Sequence, residues 1–199
     1  MIYGDVIDAA YAKVMGEDSS PKNLAKMATK VQTSADREKA ATKMVNTMKT
    51  EYGDGISSLI LIYNATGYPL NFYQNANYSG RMSKYQPDDL IQNGQWGCFL
   101  HVKSSGTMTG SCGVVSYKMD ETNLFWFFWS TPYSGENTAE VQGYPVKVWN
   151  EKSWGYIEDR AEGRDSARGE YKNHWTLGKW MTSQTTSPIV RFTATRSDI

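Results

Sequence analysis

The chain holds two histidines, His101 and His174, and two cysteines, Cys98 and Cys112, and this short stock limits the chemistry open to it. A transition-metal site takes three or four ligands at definite spacings. His101 lies in Phe99-Leu100-His101-Val102 and His174 between Asn173 and Trp175, and neither belongs to an HxxxH pair or a longer run of ligands. Both read as structural or surface residues. The carboxylates gather in turn-like stretches, Asp88-Asp89 and Asp159 to Asp165, where a solvated face is the plain reading. Hydrolysis or group transfer needs a nucleophile with a positioned base, paired carboxylates in a pocket, or a metal. A phosphate-binding loop and a dinucleotide fingerprint are both absent, since Gly94-Gln95-Trp96-Gly97 lacks the helix that such motifs open. The sequence therefore argues against an enzyme and calls for no cofactor and no metal. Cys98 and Cys112 fall in runs that read as strands, so they are expected as buried free thiols, which behave as small hydrophobes.

The residues suited to binding are aromatic. Of thirteen tyrosines, Tyr78, Tyr133, Tyr144, Tyr156 and Tyr171 fall in stretches that read as loops, with Trp154, Trp175 and Trp180 near them in sequence. Such rings offer large contact area with a polar handle, suited to a membrane interface or a flat ligand such as a sugar. A cage of them holds a quaternary ammonium, at about 0.5–2 kcal/mol per good contact. Charge narrows the partners further: 21 basic and 21 acidic residues give a formal charge of zero, against a nucleic-acid binder that works by neutralising phosphates. Met-Ile-Tyr-Gly-Asp at the start has no basic segment followed by an apolar one, and no apolar run approaches the roughly 20 residues of a membrane span. The expectation is a soluble protein, cytoplasmic in the producing cell or released non-classically.

These groups must be positioned by strands. Leu124-Phe125-Trp126-Phe127-Phe128-Trp129 follows a polar turn at Asp120 to Asn123, and Thr109 to Tyr117 precedes it, which reads as an antiparallel hairpin. Phe125, Phe127 and Trp129 alternate with Leu124, Trp126 and Phe128, so both faces of the second strand are apolar and both must be covered. Pro132 cannot donate to the ladder and ends the pairing, which makes Ser130-Thr131-Pro132-Tyr133 the place to look for a site.

All seven tryptophans come after residue 95, and the first fifty residues carry only Tyr3 and Tyr11 as aromatics. Helices are expected there: Ile7, Ala10, Tyr11 and Val14 at helical spacing with Asp5 as cap and Gly16 as stop; a second from Ser20-Pro21 with Leu24, Met27, Ala28 and Val31; and, past Thr33-Ser34, a third through Ala41, Met44, Val45 and Met48 that closes at Gly53-Asp54-Gly55. From Ile56 the period becomes two. Strands are expected at Leu59 to Tyr63, Leu70 to Tyr73 as its return, Trp96 to Val102, the hairpin, Val146 to Trp149, Trp154 to Ile157 and Ile189 to Thr195, with Asn75 to Gly80 a loop. The charged run Glu158 to Asp165 reads as a loop or short solvated helix. The fold class is mainly β, an antiparallel sandwich flanked by N-terminal helices. Residues 1–55 form the helical segment and 56–199 the sandwich.

One block resembles a known family. Thr109-Gly110, Gly113-Val114, Tyr117, Asn123-Leu124 and Ser130-Thr131-Pro132-Tyr133 are similar in type and spacing to the core of the actinoporins, the sphingomyelin-binding pore-forming toxins of sea anemones. The Asn64-Ala65-Thr66-Gly67 turn resembles their Asn-Glu-Ser-Gly turn. Ile91-Gln92-Asn93-Gly94-Gln95-Trp96 with Phe99-Leu100-His101-Val102-Lys103 resembles the plant jasmonate-induced proteins. Together with the helical N-terminus, these features also resemble nakanori-type fungal proteins, which bind sphingomyelin with cholesterol on an actinoporin-like sandwich. The likeness spans roughly residues 57 to 195.

What the resemblance implies is a phosphocholine pocket. Ser130 and Pro132 fall on the family's pocket serine and proline, Cys112 on its small wall residue, Ser79 on the serine of its Phe-Arg-Ser-Gly loop, and Tyr133 on the tyrosine after the proline; Trp154 and Tyr156 are the nearest counterparts of its later tyrosines. The expected partner is membrane sphingolipid with sterol, bound peripherally at the outer leaflet. Two departures argue against deep insertion. The N-terminus lacks the toxins' apolar helix, and Ser134-Gly135-Glu136-Asn137-Thr138-Ala139-Glu140 replaces their tryptophan-rich loop with two acids and no aromatic. The competing expectations are a carbohydrate-binding lectin of the fungal fruit-body type, a pore-forming cytolysin, and a plant stress protein of the jasmonate-induced kind.

Overall fold

The computed structural model describes residues 1–32, 35–149, 154–157, 159 and 167–199. In chain order the elements are β1 (Ile2–Tyr3), α1 (Ala9–Met15), α2 (Pro21–Val31), α3 (Ala35–Tyr52), β2 (Ser57–Ala65), β3 (Leu70–Ser79), β4 (Arg81–Met82), β5 (Leu90–Ile91), β6 (Trp96–Val102), β7 (Ser111–Lys118), β8 (Asn123–Thr131), β9 (Thr138–Pro145), β10 (Arg168–Lys172), β11 (Thr176–Met181) and β12 (Ile189–Arg196). One sheet runs β1-β6-β2-β12-β11-β10 with β4 also on β6, and the other runs β5-β3-β7-β8-β9. Every pairing is antiparallel except β12 on β2.

Alternation along the strands builds three apolar layers. Between the sheets lie Ile60, Ile62, Phe99 and Phe192 from one side and Val115, Phe125, Phe127 and Trp129 from the other. Behind the first sheet, Leu59, Leu61, Tyr63 and Leu100 meet Leu24, Met27, Ala28, Ala41, Val45 and Met48 of the helices. Behind the second, Val114, Leu124, Trp126 and Phe128 meet Trp149 and Ile157. The two alternating aromatic sets of β8 therefore do face opposite layers. β2 and β6 are buried at every position, which is why they read as unbroken apolar runs.

Several local expectations give way to tertiary pairing. Asp8, not Asp5, caps α1 by accepting from the Tyr11 amide at 2.9 Å, and Val14 is 86% exposed, so only Ile7 and Ala12 of that region are fully buried. Ser20 and Pro21 begin α2 as their types predict. Leu70 to Tyr73 does not return along β2; β3 crosses to the second sheet, pairs with β7, and runs through Asn75 to Ser79, which read as a loop because of its Asn and Ser content. Val146–Val148 is a 3-10 turn rather than a strand, and 154–157 is helical. Three strands, β9, β10 and β11, lie in stretches whose Gly and charged residues hid the period of two. Of the charged run, only Asp159 belongs to the described residues. Cys98 and Cys112 are buried and free.

Candidate functional site

Ser79, Cys112 and Ser130 stand in one row across three neighbouring strands: Ser79 pairs with Cys112, and Cys112 with Ser130. Adjacent strands lie about 4.8 Å apart, so the two serine hydroxyls flank the thiol within the reach of one small headgroup. Their common face owes its existence to a bulge. The β3–β7 register slips between Asn77 and Ser79, leaving Tyr78 as the extra residue. Asn77 points between the sheets, where its Oδ1 lies 3.0 Å from His101 Nε2. Tyr78 packs at 6.1 Å on Phe128 in the outer layer, and Ser79 then joins it on that face instead of alternating inward.

The row opens into a depression of about 340 Å³, whose walls include Ser79, Cys112, Ser130, Pro132 and Tyr133 together with Tyr78, Met108 and Thr109. Gly110 lies tight against Thr131 and Pro132, where a Cβ would meet the proline Cα at 2.6 Å. Its carbonyl accepts from the Ser79 hydroxyl at 3.2 Å. Tyr133 is 55% exposed and Met108 74% exposed at the rim. None of the described residues lining the depression is charged.

Beneath the row the end of the inter-sheet layer is polar. Ser58 Oγ lies 2.8 Å from both Ser111 Oγ and Thr131 Oγ1, and Ser111 Oγ lies 2.8 Å from His101 Nδ1. These groups are buried, and burial, with a smaller push from Arg81, lowers the His101 pKa to about 3, so the imidazole is neutral. Satisfied buried networks of this kind fix strand ends relative to one another. His101 is thus structural, while His174 is exposed. Burial also raises the Cys98 thiol to about 12, which removes its nucleophilic form at neutral pH.

Five of the seven expected site residues come together here. Trp154 and Tyr156 do not line the depression: Trp154 packs edge-on against Trp149 at 4.9 Å, and Tyr156 is half exposed on the 154–157 turn. Trp154 is nevertheless tied to the wall, because its carbonyl accepts from the Tyr78 hydroxyl at 2.7 Å. Sequence reasoning counts Tyr78 among the loop aromatics without placing it in this depression, and it misses Met108; the bulge that places the first has no sequence signature, and the second stands alone in a polar loop. A larger open hollow, about 860 Å³, flanks α3, but its lining of Lys39, Lys43, Asn46, Glu51 and Arg191 has no aromatic ring. Among the described residues no group of three or more His, Cys, Asp or Glu is placed to hold a metal ion.

The model of the Nakanori-like protein family matches residues 3–193. The chain belongs to that family. Its Nakanori-like fold superposes on the crystal structure of the lipid binding protein Nakanori with a TM-score of 0.90 at 25% identity, covering 98% of this chain and 99% of that one. The sequence of this Nakanori-like chain is also 36% identical over 168 residues to the 23 kDa jasmonate-induced protein of Hordeum vulgare, covering 78% of this chain and 79% of the barley protein. The expected likenesses to the jasmonate-induced proteins and to the nakanori type thus extend over most of the molecule.

Proposed function

We propose that this protein binds a membrane lipid, sphingomyelin in company with cholesterol, by seating the phosphocholine group in the depression at the Ser130 end of β8, without catalysing a reaction. The observation that carries the reading is the absence of charge in the described lining, which joins serine hydroxyls to tyrosine rings. A zwitterion needs no net countercharge, whereas an anionic headgroup calls for Lys or Arg. Ser130 donates to the phosphate, Ser79 joins it by turning its hydroxyl from the Gly110 carbonyl to the headgroup, and Tyr133 and Tyr78 face the trimethylammonium. The Nakanori structure, that of a lipid binding protein, supports a lipid ligand, and the likeness to sphingomyelin binders supports that lipid.

Docking on this reading is peripheral, with exposed Met108 and Tyr133 entering the headgroup layer. Among the described residues no helix is long and apolar enough to cross a membrane. The apolar residues of α2 and α3 are spent on the sheet behind them, which favours residues 1–55 as a packed layer and a non-lytic protein. The test is sedimentation with liposomes of phosphatidylcholine, of sphingomyelin, and of sphingomyelin with cholesterol, with dye release read in the same tubes. Pelleting with the third mixture and no release is the expected result. No pelleting with any mixture would sink the lipid reading.

A further inference from the structure

A second cleft, of about 550 Å³, opens beside the turn between β7 and β8. β7 runs from Ser111 at the depression to Lys118 at this end, so at about 3.3 Å per residue the two openings are roughly 25 Å apart. Trp175 lines the cleft. It is 65% exposed, while Trp96, Trp126, Trp129, Trp149 and Trp180 are buried. Its exposure is not looseness of the chain. Asn173 Oδ1 accepts from the amides of Trp175 at 2.9 Å and Thr176 at 2.8 Å, and Asn173 Nδ2 donates to the Gly143 carbonyl at 3.2 Å. The Ser197 amide donates to the Trp175 carbonyl at 3.4 Å. A flat ring is thus held in solvent on a backbone fixed on both sides, which is a preorganised stacking surface.

The groups around that ring alternate in sign. Asp120 and Glu121 line the cleft with Lys147 and Arg196. Asp120 is held in place by the amides of Thr122 and Asn123, both at 2.7 Å to Oδ1, while its Oδ2 takes only Asn123 Nδ2 at 3.2 Å. Arg196 is paired with Asp198 and lies 6.0 Å above the Tyr68 ring. An anion would need surplus cations here, and a quaternary ammonium would need several rings. Tyr68 also lines the cleft, but Arg196 lies over its ring. The one exposed aromatic plane, Trp175, rimmed by donors and acceptors, suits a ring with an apolar C–H face and hydroxyls at its edge, and the volume falls in the range of small-molecule sites, roughly 300–1,000 Å³.

We propose that this cleft binds an uncharged pyranose sugar, its C–H face on Trp175 and its hydroxyls on Asp120, Lys147 and Arg196. The inference stands independently of the lipid reading. Because the cleft and the depression lie at opposite ends of one hairpin, a molecule docked on a bilayer through the depression holds the cleft away from it, and both sites fill without competition. The experiment is a heteronuclear NMR titration of the full chain with methyl galactoside, methyl mannoside, N-acetylglucosamine, N-acetylgalactosamine and lactose at roughly 10 mM, well above a 1 mM Kd. The Trp175 indole resonance is identified by its loss in Trp175→Phe. At least one sugar is expected to shift that resonance, with affinity falling about tenfold or more in Trp175→Ala, surviving in Ser130→Ala, and liposome pelleting unchanged in Trp175→Ala. Absence of any shift across the panel, or sugar binding that persists in Trp175→Ala, overturns the proposal and leaves the lipid test as it stands.

Discussion

The Tyr78 hydroxyl donates to the Trp154 carbonyl at 2.7 Å, so the bulged residue of β3 fastens the 154–157 turn to the wall of the depression. Removing only that oxygen, in Tyr78→Phe, deletes one partly buried hydrogen bond worth about 1 kcal/mol. For a domain of this size the melting temperature should fall by about 2–4 °C. Sphingomyelin-liposome pelleting should weaken several-fold, since the ring then loses its fixed orientation. An unchanged melt and unchanged pelleting together would show that the contact positions nothing.

Ser130→Ala and Tyr133→Ala test the depression directly. Tyr133 is 55% exposed, and a solvent-facing substitution away from the core stays within about 0.5 kcal/mol in stability. Loss of one cation–π contact, about 0.5–2 kcal/mol, should raise the Kd for sphingomyelin and cholesterol vesicles by roughly 2- to 30-fold. Surface plasmon resonance on captured vesicles, beside circular dichroism of each variant, separates binding from folding. Wild-type affinity in both variants would remove the headgroup from this end of β8.

His101 makes the fold sensitive to acid. Its folded pKa is lowered to about 3 against 6.5 for the free imidazole. Between those values the unfolded chain takes up a proton that the folded one refuses, so the contribution is complete above pH 6.5 and declines as pH falls. The slope reaches at most about 1.4 kcal/mol per pH unit. Urea midpoints measured from pH 7.5 to pH 5, above the range in which carboxylates titrate, should fall in the native chain and flatten in His101→Asn. Equal slopes in the two proteins would assign the acid sensitivity elsewhere.

Asn93 joins the helical segment to the sheets. Its Nδ2 donates to the carbonyls of Ile7 at 2.8 Å and Leu24 at 3.1 Å, while its Oδ1 accepts from the Gly67 amide at 2.9 Å. Asn93→Ala removes three partly or fully buried hydrogen bonds and should cost about 3 kcal/mol. The melting temperature should drop by about 6–12 °C, with a single transition if residues 1–55 and the sandwich unfold together. Two separated transitions in the variant would instead mark the helical segment as an independent unit.

What the residues determined alone is whatever depends on neighbours in sequence. The period of two in Leu124 to Trp129 placed Phe127 and Phe128 on opposite faces, and the structure buries them in different layers. The Ser20-Pro21 start of α2 and the end of β8 before Pro132 were legible because capping and the missing amide are local properties. Cys112, Ser130, Pro132 and Tyr133 were reachable through the likeness of one spaced block and Ser79 through that of a separate loop, and they do meet in space.

Tertiary structure alone decided the rest. Asn75 to Ser79 has the composition of a loop, yet the free edge of β7 supplies hydrogen-bonding partners that make it a strand. The bulge at Tyr78 turns Ser79 to the outer face, and no pattern of residue types announces a one-residue slip in register. Gly143 and Gly178 thinned the apparent strand signal of β9 and β11, but each lies where a Cβ would press on the facing sheet, on Thr176 or Val141. The tie that Asn93 makes has no local signature, because its three partners come from Ile7, Leu24 and Gly67, distant in sequence and adjacent only once the sheets have closed.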